Sequence, residues 1–188
     1  MHTRSIALEG FVREDGLWDI EVRLIDTKPF SLPLYERGQL QPGTPIHDIS
    51  LRLTVDDAHV IRAIASSMDS KPLNECAQAE PPLQKLVGVT LGPGLHQAIK
   101  RALGGTGGCT HMREMLVNAA TVAYQCIPHG RAHLRRQSGV PETTHRDQPP
   151  YHVGRCIAWD VDGPVVARVF PQFVGWAPLR RANKPEPS

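Results

Sequence analysis

From Trp18 to Leu24 every second residue is apolar: Trp18, Ile20, Val22 and Leu24 alternate with Asp19, Glu21 and Arg23. Successive side chains of a strand point to opposite faces, so such a stretch buries its apolar half only in a sheet covered on one side. One wet face and one dry face mark an antiparallel sheet. Ile6, Leu8 and Phe11 lead into Glu14-Asp15-Gly16, a turn signal, so residues 4–26 read as a hairpin. Alternation returns from Ile46 to Val55, giving a third strand. His59–Ala65 fits a fourth strand or a helical turn, and its Val and Ile content favours the strand. The Pro- and Gly-rich residues 27–45 read as a connecting loop.

Helical periodicity takes over further along. Short pieces around Leu73–Val87 are interrupted by Pro81-Pro82, and Pro93–Leu103 forms a compact helix closed by Gly104. A longer helix runs from Thr110 to about Cys126, with Met112, Met115, Leu116, Ala119, Val122 and Ala123 as its apolar stripe. Residues 128–150 lose that periodicity and read as a flexible internal linker. Val153–Phe170 regains strand character, with a turn at Asp162-Gly163, and residues 176–188 read as a disordered tail. The fold class is α+β: a mainly antiparallel sheet with two to three helices packed on one face, in one domain over residues 2–175.

Charge excludes several function classes. The net charge of +2 gives no strong attraction to nucleic acid or anionic membrane. Arg131, Arg135, Arg136 and Arg146 make the linker basic but lack the interleaved aromatics of a single-strand binder. No apolar run approaches the about 20 residues of a membrane span, and the N-terminus lacks a signal-peptide pattern, so a cytoplasmic location is expected. In that reducing compartment the four cysteines (Cys76, Cys109, Cys126 and Cys156) read as free, metal-bound or catalytic thiols.

Chemistry concentrates at Gly104-Gly105-Thr106-Gly107-Gly108-Cys109-Thr110-His111, which delivers a thiol and an imidazole to the start of the long helix. Free N–H groups and the helix dipole lower a thiol pKa there. Thr110 reads as the N-cap. Glu114, three residues after His111, shares its helix face and is positioned to orient the imidazole. His47 is either a second base facing the same pocket or a buried histidine bonded to backbone; His47 and Asp48 cannot both face it. His2 and Arg4 can return to a pocket, though an N-terminal histidine is commonly on the surface. Cys126 reads as core.

Several phrases carry a resemblance: His2-Thr3-Arg4, Asp15-Gly16-Leu17-Trp18-Asp19-Ile20-Glu21, Pro45-Ile46-His47-Asp48, Arg52-Leu53-Thr54 and Gly108-Cys109-Thr110-His111-Met112. With the late Cys156-x-Ala158-Trp159 and Asp162-Gly163-Pro164-Val165-Val166, they resemble an uncharacterised bacterial family known as a domain of unknown function. That resemblance implies no activity. Relatives often follow the late cysteine with His, where this chain has Ile157, which removes one potential ligand. The layout of strands, a cysteine and then a cysteine opening a long helix is also similar to iron–sulfur cluster scaffolds, without their ligand motifs.

Two function classes fit these residues. In the first, Cys76, Cys109, His111 and Cys156 hold zinc or iron in a metal- or cluster-binding accessory protein. In the second, Cys109 is the nucleophile of an enzyme acting on a small acidic or thioester substrate. His111 or His47 is then its base, Glu114 the orienting group, and Gly107, Gly108 and Thr110 an anion pocket. A non-catalytic interaction domain is the third alternative. The expected partner is a small molecule or another protein.

Overall fold

The computed structural model describes residues 1–140, 147–176 and 178. Among the described residues there are six strands: β1 (Thr3–Val12), β2 (Trp18–Thr27), β3 (Leu32–Leu34), β4 (Gly38–Leu40), β5 (His47–Val55) and β6 (Ile61–Ser70). β1, β2, β5 and β6 form one antiparallel sheet in that order. β3 and β4 make a small separate hairpin, which corrects the loop expected over residues 27–45. The helices are α1 (Leu95–Leu103), α2 (Thr110–Gln137) and α3 (Pro164–Val169), and short 3-10 turns cover Asn74–Ala79 and Pro81–Leu86. The fold class is α+β, and among the described residues no helix is long and apolar enough to cross a membrane.

The alternation in β2 does what its period requires. Trp18, Ile20, Val22 and Leu24 are buried, and Ile49, Leu51, Leu53 and Val55 of β5 are buried beside them. α2 lays Met112, Met115, Leu116, Ala119 and Ala123 into the same core. Each large side chain removed from water there contributes about 1.5–3 kcal/mol. The opposite sheet face is wet and carries cross-strand pairs such as Arg23–Asp48 at 2.8 Å. Exposed pairs of that kind are worth about 0.2–1 kcal/mol each.

The chain divides into two compact units, Met1–Ser138 and Gly139–Ser188. α2 runs to Gln137, well into the stretch expected as a linker over 128–150. Pro128 removes one helical N–H, but the helix is anchored on both sides of it: Ile127 is buried, Gly130 lies against the Trp18 ring, and Arg131 pairs with Asp57 at 3.2 Å. Residues 141–146 of that stretch lie outside the described residues. In the second unit, the strand pair expected over Val153–Phe170 is replaced by helical turns at Ile157–Trp159, α3 and Pro171–Phe173. Gly163 before Pro164 starts α3 instead of ending a strand turn, since proline at the first helical position loses no bond. Val153, Val161, Val166 and Phe173 form that unit's small core. The tail expected to be disordered lies, but for Trp176 and Pro178, outside the described residues.

Candidate functional site

Strand register builds the site. Pairing of β1 with β2 sets Arg4 opposite Asp26, and pairing of β2 with β5 sets Asp26 opposite His47. Cross-strand partners share a face, so three polar side chains stand in a row on the core side, at one end of the sheet. Asp26 is only 1% exposed. A lone buried carboxylate would be prohibitively costly, and this one is surrounded by donors. Arg4 grips it with two bonds, Nε to Oδ1 at 2.8 Å and Nη2 to Oδ2 at 2.9 Å. His2 Nε2 lies 3.0 Å from Oδ1, and His47 Nδ1 lies 3.0 Å from Oδ2. Burial pushes the Asp26 carboxyl up, but the Arg4 bonds and charge, then His2, outweigh it and bring its pKa down to about 2.

The N-terminal turn of α2 completes the arrangement. His111 Nε2 stands 3.3 Å from Asp26 Oδ2, while its Nδ1 lies 3.5 Å from Cys109 Sγ. The His47 and His111 rings are tilted against each other with centroids 4.1 Å apart. Burial raises the Cys109 thiol, yet the His111 ring and the nearby N–H groups of Met112 and His111 hold it below its ordinary value. Burial and the neighbouring His111 lower the pKa of His47, with Asp26 opposing, so His47 favours the neutral form. A cavity of about 540 Å³ opens over this turn, lined by His47, Lys71, Cys76, Gly108, Cys109 and His111 among others. That volume lies within the range of small-ligand sites.

The glycines before the helix have separate tasks. Gly105 takes a φ of +57°, which favours a residue without Cβ. Gly108 passes so close to Leu103 that a Cβ would come within 2.7 Å of it. This approach presses the loop onto α1 and presents Cys109 at the mouth of α2.

The site residues expected from sequence are placed as follows. Cys109 and His111 are adjacent, and His47 joins them through Asp26. Gly107, Gly108, Thr110 and Cys76 line the same cavity. Cys109, not Thr110, occupies the N-cap of α2, and neither makes a full side-chain capping bond. Glu114 bonds Arg4 Nη1 at 2.8 Å, and Asp26 takes the place beside His111 expected for Glu114. Cys156 is exposed and belongs to the second unit. Cys126 is half-buried against Gly10, where burial raises its thiol pKa.

Asp26 escaped the sequence reading, although a signal was present. It continues the phase of Trp18, Ile20, Val22 and Leu24, so an acid falls on the core face of its strand. His47 likewise falls in phase with Ile49, Leu51 and Leu53. Among the described residues, Asp26, His47 and His111 are the group able to hold a metal ion, with one ligand atom from each lying within 4.8 Å of the others. Cys76, Cys109 and Cys156 do not enter such a group.

No curated protein and no solved structure matches the chain. The family described as "Protein of unknown function (DUF2889)" matches residues 2–125, a span that holds His2, Arg4, Asp26, His47, Cys109 and His111. Over most of its length, therefore, the chain belongs to that family.

Proposed function

We propose that the first unit is a cysteine-dependent enzyme of acyl transfer or hydrolysis acting on a small acidic or thioester substrate. Cys109 is its nucleophile, His111 its base and Asp26 the group that orients the base. The observation that carries this reading is the chain of contacts from Sγ to Nδ1 at 3.5 Å and from Nε2 to Asp26 Oδ2 at 3.3 Å. A nucleophile within reach of a base, itself held by a third group, is the arrangement that activates a weak nucleophile, and such contacts run long before substrate binds. His111 takes the thiol proton, and Sγ forms a bond to the acyl carbon. As the leaving group departs it receives that proton, and water then cleaves the acyl-thiol bond with His111 again as base.

A specific observation favours a second reading, in which Asp26, His47 and His111 hold a zinc or iron ion: their ligand atoms converge. One experiment separates the two. The pH profile of Cys109 alkylation by iodoacetamide, read by peptide mass spectrometry, should show a midpoint below the unperturbed ~8.5. His111→Ala should raise it, and Cys126 should stay slower throughout. A Cys109 midpoint at or above that value overturns the nucleophile reading. About one metal per chain after chelator-free purification, lost in His47→Ala and kept in Cys109→Ser, would establish the metal reading in its place.

A further inference from the structure

Lys71 lines the Cys109 cavity and is half-buried, yet it has no hydrogen bond or ion pair among the described residues. Arg23 on β2, Arg52 on β5 and Arg62 on β6 are each tied to a carboxylate, Arg4 is shared between Asp26 and Glu114, and Arg37 bonds Ser70 Oγ and the Pro45 carbonyl. Lys71 also has a defined place. It directly follows Ser70, which pairs with Asp48, so it continues β6 beside the strand end that carries His47. The row Arg4, Asp26, His47 across three strands thus leads to an unengaged ammonium just past the end of the fourth.

We propose, building on Cys109 as nucleophile, that this cavity selects substrates carrying an anionic group close to the reacting carbon, and that Lys71 binds that group. The helix start does not serve this purpose, because the N–H groups of His111 and Met112 stabilise the Cys109 sulfur itself. His47 favours its neutral form, and Asp26 is matched by Arg4, so neither supplies a free charge of either sign. Ile49, Met68 and Ala79 in the wall keep water from part of the cavity and strengthen the attraction. Glu75 also lines the cavity but is exposed, where solvent screens it. A carboxylate and a phosphate both satisfy this recognition, one ammonium taking either as a point charge.

The test compares two alkylating probes at Cys109, anionic iodoacetate and neutral iodoacetamide. Both place a carbon on sulfur and release iodide, so the change in their rate ratio between variants cancels their intrinsic reactivities and reports attraction of the negative charge. Lys71→Met should lower the iodoacetate-to-iodoacetamide ratio at Cys109 by about tenfold and leave the ratio at exposed Cys156 unchanged. Lys71→Arg should restore it, and added salt should erode it in the wild type. Protection of wild-type Cys109 from iodoacetamide by malonate or by inorganic phosphate, lost in Lys71→Met, supports the assignment and tells which anion the cavity takes. An unchanged ratio in Lys71→Met, with iodoacetamide reactivity intact, overturns the role of Lys71 and leaves the nucleophile standing. Slow reaction of wild-type Cys109 with both probes overturns the nucleophile and this inference with it.

Discussion

Replacing Asp26 by Asn tests the hub of the site directly. The carboxyl titrates at about 2, against 3.8 for a free aspartate. At 1.36 kcal/mol per unit, its ionised form therefore contributes about 2.5 kcal/mol to folding at neutral pH. The amide is nearly isosteric but carries no charge, so Arg4 also loses a bidentate partner. Arg4 is one-third exposed and keeps Glu114, which limits that further cost. The total comes to about 3 kcal/mol, the low end of what breaking a buried ion pair costs. Because the folded pKa is depressed, this stability is present above the unfolded value near 4 and is lost as pH falls through about 2. Urea melts of wild type and Asp26→Asn should accordingly differ by about 3 kcal/mol at pH 7, with the gap shrinking to roughly half by pH 3. An equal gap at both pH values, or none at pH 7, would refute the assignment of Asp26 as an ionised, buried hub.

Other perturbations separate neighbouring roles. Glu114→Ala removes an exposed partner of Arg4 and should cost under about 1 kcal/mol in the same melts, leaving the Cys109 alkylation midpoint unmoved. Gly108→Ala drives a methyl against Leu103 and should cost about 1–3 kcal/mol, with a matching drop in Tm. The lowered pKa of His47 means that protonation disfavours the fold, so its contribution is full above the unfolded ~6.5 and falls as pH drops below it. Imidazole NMR should place the His47 midpoint below that value, and His111→Ala, which removes a like charge, should raise it.

The main sheet was legible because period-two alternation has one physical solution. β1, β2, β5 and β6 all lie where Ile6–Leu8, Trp18–Leu24, Ile46–Val55 and the His59–Ala65 stretch pointed. Cys109 and His111 were legible because a glycine-led helix start is written in consecutive residues. Asp26 was not, since its role depends on which residues of β1 and β5 lie across from it. Cross-strand register sets that pairing, and local sequence does not. The far end of α2 was hidden for a similar reason: Gly130 and Arg131 look like linker residues until Trp18 and Asp57 are seen beside them. Val165 and Val166 read as strand by propensity, but Gly163 and Pro164 commit the backbone to a helical start.

The choice between a proton relay and a metal centre turns on Arg4. An ionised carboxylate only accepts hydrogen bonds, so the nitrogens of His2 and His47 that meet Asp26 carry protons, and its charge 3.3 Å from His111 Nε2 favours the His111 proton on that nitrogen. A neutral His111 protonated on Nε2 has its lone pair on Nδ1, the atom that faces Cys109. The same carboxylate thus favours the tautomer a base requires. A cation at Asp26, His47 and His111 would need those protons removed, and would sit beside a guanidinium already bonded to both carboxylate oxygens. Arg4→Met removes that repulsion. If Arg4 is what keeps the site a relay, the variant should bind zinc at least tenfold more tightly than wild type, about 1.4 kcal/mol, in competition with a chromophoric chelator. Zinc affinity equal in the two proteins would show that the guanidinium does not decide the chemistry of this carboxylate.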